Sequence, residues 1–291
     1  MKFGRTYRLT LQVSDTESIE VDYPLTIVFD VSRNTLASAN RGRFQIYNLK
    51  PDTRLKIYHD RYDTLTYRRI VLQAGYEDES PLPTIFRGNI IQASSYRSGT
   101  NWITEIEAFD GGFGILNGQV SQTVPAGWTL PDIIKQVLGG LPNVTVGAVG
   151  DFSQQNARGI TVMGSSWDVA NRIATGQDAV AFVDNEQANL LHKDEYIAGA
   201  GSVALITSET GLLQTPRRYD ARLDVEILFE PRLVVGQIVQ LQSLEAVYNA
   251  NYQVIGVQHR GTISGAVCDS ATTIASLWLG TSQLRPVAKA A

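Results

Sequence analysis

Apolar and polar residues alternate one for one along the first 110 residues of this chain, and no other feature narrows its fold so much. Tyr7, Leu9, Leu11 and Val13 alternate with Arg8, Thr10 and Gln12, which in a strand sends one face to a core and the other to water. Ile19, Val21 and Tyr23 repeat the pattern across Glu20 and Asp22, after the turn-forming run Ser14-Asp15-Thr16-Glu17-Ser18. The same period predicts strands at 25–31, 44–49, 55–58, 70–76, 84–91 and 102–108, separated by Lys50-Pro51-Asp52 and Ser80-Pro81-Leu82-Pro83. Short strands at this spacing predict an antiparallel sheet that closes into a barrel or folds into a sandwich.

The period changes after Gly111-Gly112-Phe113-Gly114, which reads as a flexible hinge. Thr129-Leu130-Pro131-Asp132 opens a helix, with a capping hydroxyl, a proline in the first turn and a carboxylate near the positive end of the dipole. Ile133, Ile134, Val137 and Leu138 form its apolar stripe, and Gly139-Gly140 ends it. A second helix starts at Ser165-Ser166-Trp167-Asp168, and 179–184 and 188–192 read as a hairpin about Asn185-Glu186. Helix is thus expected only within 120–180. From residue 203 strands return at 223–229, 237–242, 252–258 and 268–279, the last partly helical, and the tail reads as frayed. The fold expected is mainly β: two β-barrel-like tube domains separated by a small α/β insert. Its boundaries are 1–115 for the first barrel, 116–202 for the insert, 203–283 for the second barrel and 284–291 for a flexible tail.

The search for chemistry returns no catalytic, cofactor-binding or metal-binding residue, so the chain reads as no enzyme and needs no cofactor. His59, His192 and His259 lie far apart, and the single Cys268 gives neither a zinc pair nor an internal disulfide. Gly164-Ser165-Ser166-Trp167-Asp168 lacks the second glycine of a nucleophile elbow, and its serines suit a helix cap better. Asp30, Asp110 and Asp184 close apparent strands, where aspartate commonly bonds its own turn; Glu105 and Glu107 read as a solvated strand face. The net charge of −4 supplies no basic field for nucleic acid or an acidic lipid surface. No stretch reaches the ~18 consecutive apolar residues of a spanning helix, and Met1 to Thr6 lack the apolar core of a signal peptide. The protein is therefore expected in a cytoplasm, without membrane insertion or specific nucleic acid.

The order of parts carries a resemblance. A β-domain, an insert opened by Trp128-Thr129-Leu130-Pro131-Asp132-Ile133-Ile134, and a second β-domain resemble the baseplate hub proteins of contractile-tailed phages and related injection machines. Gly159 to Val169 is similar to that family's approach to the second insert helix, and Ala179 to Val183 with Asn189 to His192 to the hairpin after it. Gly211-Leu212-Leu213-Gln214-Thr215-Pro216, Leu228 to Gln237 and Asn251 to Gly261 resemble the opening segments of the second barrel and the strand and turn that follow. The resemblance implies a homotrimer whose barrels form a ring. One face would dock the tail tube and the other the central spike, and DNA and the tape-measure protein would pass through the channel. Partners are then other copies, the tail tube protein, the spike protein, other baseplate proteins and the tape-measure protein. The place is the virion's tail baseplate, assembled in the host cytoplasm.

A ring must bury strand edges between subunits. The strand at 223–229 is the expected edge, with Arg222, Asp224 and Glu226 on its outer face, and Arg41, Arg43 and Arg68 supply the complementary patch on the first domain. The competing expectation is a host-receptor or carbohydrate-binding β-module of a phage tail, presenting Tyr67, Tyr96 and Trp102.

Overall fold

The computed structural model describes residues 4–36, 39–152, 159–199, 204–266, 269–280 and 284–288. Strands hold 52% and helices 13%, so the alternation governs as predicted. The N-terminal strands are β1 (Arg5–Gln12), β2 (Ser18–Asp22), β3 (Ile27–Asn34), β4 (Asn40–Tyr47), β5 (Arg69–Tyr76), β6 (Thr84–Ser98) and β7 (Asn101–Asp110). Between β4 and β5 the predicted strand at 55–58 is instead helix α1 (Pro51–Ile57). Pro51 and Asp52 suit a first turn, and Arg54 and Lys56 lie in the last. The apparent alternation there is accidental, since Ile57 is buried while Leu55 is exposed.

The insert begins without a hinge. Gly111 adopts φ +66°, and a Cβ there would meet Val183 at 2.7 Å, so only glycine fits; helix α2 (Gly112–Asn117) follows at once. Helix therefore extends outside 120–180. Next come β8 (Gln119–Val124), α3 (Leu130–Leu138), β9 (Thr145–Val149), β10 (Ile160–Ser165), α4 (Ser166–Gly176), β11 (Ala179–Asp184), β12 (Gln187–His192) and β13 (Glu195–Ile197). Both predicted caps form: the Thr129 hydroxyl accepts from the Asp132 amide and that of Ser165 from the Asp168 amide. Asn185 and Glu186, at φ +53° and +61°, make the tight turn between β11 and β12.

The C-terminal strands are β14 (Ala204–Ile206), β15 (Arg217–Tyr219), β16 (Arg222–Leu228), β17 (Ile238–Leu241), β18 (Ala250–Ile263), β19 (Ser270–Trp278) and β20 (Arg285–Val287). β19 has no helical part, because Ala271, Thr273, Ala275 and Leu277 alternate inward along its length. Cys268 lies outside the described residues. The tail is not frayed at 285–287, where β20 pairs in parallel with β13 and Arg285 clasps Asp194 at 2.8 Å; residues 289–291 lie outside the described residues.

One sheet runs through both outer parts in the order β15-β16-β19-β18-β3-β4-β7-β6-β5-β1-β2, with β17 and β14 continuing from the first half of β18. The second half of β18 pairs with β19 on one side and β3 on the other, so the two halves share a seam. No ladder among the described residues closes either half into a barrel. The order β3-β4-β7-β6-β5 is repeated as β15-β16-β19-β18-β17. Both passes carry a bulge at the same place: β6 skips Ile91 against β7, and β18 skips Ile255 against β19. Behind the sheet lie three apolar clusters. The N-terminal cluster takes in Phe229, Ile263 and Ala271 from the C-terminal half. The second belongs to the insert, and the third joins the C-terminal strands to Phe182, Leu191 and Ile197.

Candidate functional site

The register of the sheet aligns its polar residues on one face. Directly opposed residues share a face, and one row runs Glu226–Ile274–Gln258–Ser32–Arg41 across β16, β19, β18, β3 and β4. The next row runs Leu228–Thr272–Arg260–Asp30–Arg43–Glu107–Gln92, reaching β7 and β6. The face therefore crosses the seam between the halves without interruption. Many of its charged groups are engaged within the chain: Arg41 with Glu107, Arg222 with Asp224 at 3.3 Å, Arg260 with Glu226 at 3.4 Å, and Gln258 with Asp30 at 2.8 Å.

Five of the six residues expected at a subunit contact, Arg41, Arg43, Arg222, Asp224 and Glu226, lie on this face of one chain. Arg68 stands apart in the loop before β5, donating to the Tyr58 carbonyl at 3.0 Å. β16 offers no free edge. β19 lines one side, while β15 and the segment at Leu212 line the other, because the chain doubles back through 211–219 before β16. The sequence reading missed that return, since its short strand lacks an apolar alternation.

Behind the seam lies a buried polar junction that the sequence reading did not assemble. Arg33, on the inward face of β3, is 1% exposed. Its guanidinium donates to the Leu233 carbonyl at 2.7 Å and to both Asp184 oxygens at 3.4 Å, and it lies 3.3 Å from His259 Nε2. Arginine has no acceptor, so His259 Nε2 accepts, and Nδ1–H donates to the Thr273 hydroxyl at 2.9 Å. Asp110, wholly buried, does not bond its own turn. It accepts from the amides of Asn185 and Glu186 at 2.5 and 2.7 Å, fastening the end of β7 to the insert hairpin. Asn40 adds a bond to the Val183 carbonyl at 2.6 Å. Three segments far apart in sequence thus meet through charged hydrogen bonds.

Burial, reinforced by the Asp184 carboxylate, pushes the Asp110 carboxyl up to about 8. Burial and the neighbouring Arg33 hold His259 well below the ordinary imidazole range. For Asp110 the folded state keeps a proton that the unfolded chain releases near pH 4, so its contribution declines as pH rises towards 8. For His259 the unfolded chain takes a proton that the fold refuses, so its contribution declines as pH falls below about 6.5. Between about pH 6.5 and 8 only the Asp110 effect acts. Urea midpoints of the parent should fall over that window, by up to about 2 kcal/mol, and Asp110→Asn should abolish this slope; parallel profiles for parent and variant would contradict it.

The other residues singled out by sequence are dispersed. Tyr67 bonds Glu186 and packs on Phe113 at 5.5 Å; the Arg54 guanidinium lies 3.8 Å over Trp102; Tyr96 donates to Glu105 at 3.1 Å. Tyr96 opposes Ile103 and Trp102 opposes Arg97, which puts the two rings on opposite faces of the sheet rather than on one sugar-binding platform. His59 bridges to Ala93 through its backbone and His192 stacks on Phe152 at 4.4 Å, so the histidines share no site.

This architecture is that of tail proteins. The tail protein of Neisseria meningitidis MC58 has the same fold (TM-score 0.64, 12% identity, 97% of this chain and 98% of that one covered). So has the 43 kDa tail protein of prophage MuSo2 from Shewanella oneidensis (TM-score 0.63, 8% identity, 93% and 96% covered). An E. coli type VI secretion component, described as structurally similar to the T4 tail proteins gp27 and gp5, also matches (TM-score 0.57, 13% identity, 90% and 75% covered). No curated protein sequence matches. The family model for baseplate hub gp41 matches residues 6–260, and the chain belongs to that family.

Proposed function

We propose that the protein is the hub ring of a phage tail baseplate, a homotrimer that joins the tail tube to the central spike. The polar sheet face, unbroken across both halves, carries this reading. Each half curls as a barrel-like unit, with the division kept at 115 and 202, and the common polar face lines the channel. The six residues first expected at a subunit contact are reassigned: Arg41, Arg43, Arg222, Asp224 and Glu226 to the channel wall, Arg68 to the outer loop.

The charge pattern suits a passage. From β16 to β6 the face carries Arg41, Arg43, Arg87, Arg222 and Arg260 against Asp30, Glu105, Glu107, Asp224 and Glu226. A wall near neutrality, with the guanidiniums of Arg41, Arg222 and Arg260 engaged by neighbouring carboxylates, releases few counterions to a passing polyanion and does not grip it. DNA and tape-measure protein can slide past such a wall. The chain performs no catalysis in this role; it sits in the virion baseplate, assembles in the host cytoplasm and contacts the tube, the spike and other baseplate proteins.

Size-exclusion chromatography with light scattering should return about three times the 31.9 kDa chain mass, and negative-stain images should show a ring with a central hole. A monomer at every concentration would overturn the ring.

A further inference from the structure

The repeated strand order gives the seam inside the chain a second use. β18 and β6 are equivalent strands: each pairs over its first half with a flanking strand (β17 or β5), passes a bulge, and pairs over its second half with β19 or β7. In β18 the second half also carries β3 on its outer edge, over Gly256 to Ile263. In β6 no strand lies along the outer edge of Ser94–Ser98 among the described residues; the pairing with β5 ends at Asn89, the backbone bridge from His59 is to Ala93, and α1 packs near the strand. β15 is the equivalent of β3 and, among the described residues, has β16 on one side only. One half therefore has an open receiving edge and the other an open donating strand. The seam within the chain shows how such a pair joins.

We propose that β15 of one copy adds antiparallel to the free edge of β6 of the next copy, repeating between subunits the β3–β18 seam within each subunit. The proposal rests on the ring reading above and names its contact. The ladders fix the register. Gln92, the first residue past the bulge, corresponds to Gly256, so Ser94, Ser95 and Tyr96 correspond to Gln258, His259 and Arg260. Following β7 to β4 and β19 to β16, Arg217, Arg218 and Tyr219 correspond to Asp30, Val31 and Ser32. Since Asp30 opposes Arg260 and Ser32 opposes Gln258 in the internal seam, Arg217 should oppose Tyr96 and Tyr219 should oppose Ser94.

Two details agree with this register. The edge position at Ala93, held by His59, corresponds to Val257, which faces Arg33 in the internal seam. The β15–β16 hairpin is shorter than β3–β4 and is already turning at Asp220, so it clears His59. On the polar face the charges also match: β15 brings Arg217, and the receiving edge has Glu105 beside Tyr96, bonded to its hydroxyl at 3.1 Å, while Arg218 and Arg97 fall on the other face. A donor and an acceptor edge on opposite halves make a head-to-tail contact, which can close into a ring and covers both of these edges.

Disulfide trapping tests the register in the full chain with Cys268→Ser as background. Directly opposed residues on antiparallel strands have Cα atoms about 4.5–5.5 Å apart, within reach of a disulfide. Within one chain β15 and β6 are seven strand spacings apart, about 34 Å along the sheet, so any bridge is between copies. Mixing the separate Ser94→Cys and Tyr219→Cys variants under mild oxidation should give a covalent dimer. The double variant should give a ladder ending at the copy number found by light scattering. Ser95→Cys with Tyr219→Cys, which places the thiols on opposite faces, should give at least tenfold less product. An oligomer of unchanged mass that does not cross-link at 94 and 219 overturns this contact and leaves the ring standing. A monomer that does not cross-link overturns the ring and the contact together.

Discussion

Arg33→Ala should destabilise the folded chain by about 3–5 kcal/mol, the cost of removing one partner from a buried ionic cluster. The guanidinium is the counter-charge for Asp184, supplies the donor for the Leu233 carbonyl and faces the acceptor nitrogen of His259. Without it a carboxylate 10% exposed, a carbonyl and an imidazole nitrogen lose their partner in a space too enclosed to solvate them freely. Arg33→Lys should recover only part of the loss, because one ammonium cannot span three acceptors set out around a planar fork. Urea unfolding followed by intrinsic fluorescence measures both. A midpoint shift worth less than about 1 kcal/mol for the alanine variant would mean that the cluster is dispensable, as some buried ion pairs are.

Why this cluster escaped the sequence reading is instructive. Arg33 follows Ile27, Phe29 and Val31 at the inward parity of β3; Asp110 follows Ile106 and Ala108 on β7; His259 follows Val257 on β18. Each is a polar residue standing where alternation calls for an apolar one, a signal present in the sequence. Its meaning was not, since the partners Asp184, Leu233 and the Asn185–Glu186 amides come from segments about 75 to 200 residues away. Local periodicity reports which way a side chain points, and only the topology says what waits there. Most strands, the two insert helices and their caps were legible because periodicity and capping are local. Helix α1 was not, because Leu55 and Ile57 mimic a strand over too few residues for the period to decide.

The repeat was hidden for a related reason. Structurally equivalent positions hold Arg43 and Asp224, Gln45 and Glu226, Glu107 and Ser276, or Gly42 and Leu223. They share parity and little else, so comparison residue by residue finds nothing. What the two halves preserve is strand order and the site of a bulge, both properties of hydrogen-bond ladders rather than of side chains. A polar face can keep its character through such exchange because any mixture of short polar and paired charged residues leaves it wet. The seam constrains side chains more tightly. Arg260 opposite Asp30 keeps opposite charges in register where the halves join, and a like-charged pair there would oppose the pairing.

Phe229→Ala should be the other severe substitution, at about 3–5 kcal/mol for a fully buried phenylalanine. Phe229 directly follows β16 in the C-terminal half, yet its ring is wholly buried in the N-terminal cluster. It lies 6.0 Å from the Phe29 ring, 6.2 Å from Tyr76 and 5.8 Å from His259, at the tilted angles aromatic edges and faces prefer. Tyr76 also donates its hydroxyl to the Phe229 carbonyl at 2.7 Å, so the backbone at this point is held whichever side chain it bears. Truncation then leaves a cavity that cannot collapse readily, which puts the cost near the top of the range. Phe229→Leu refills most of it and should lose less than half as much. Several ties connect the halves, among them this ring, the Arg33 cluster and the β3–β18 ladder. With the ladder intact, the alanine variant should still unfold in a single transition, shifted to lower guanidinium, with near- and far-ultraviolet circular dichroism coinciding. A split into two transitions would assign the coupling of the halves to Phe229 rather than to the ladder.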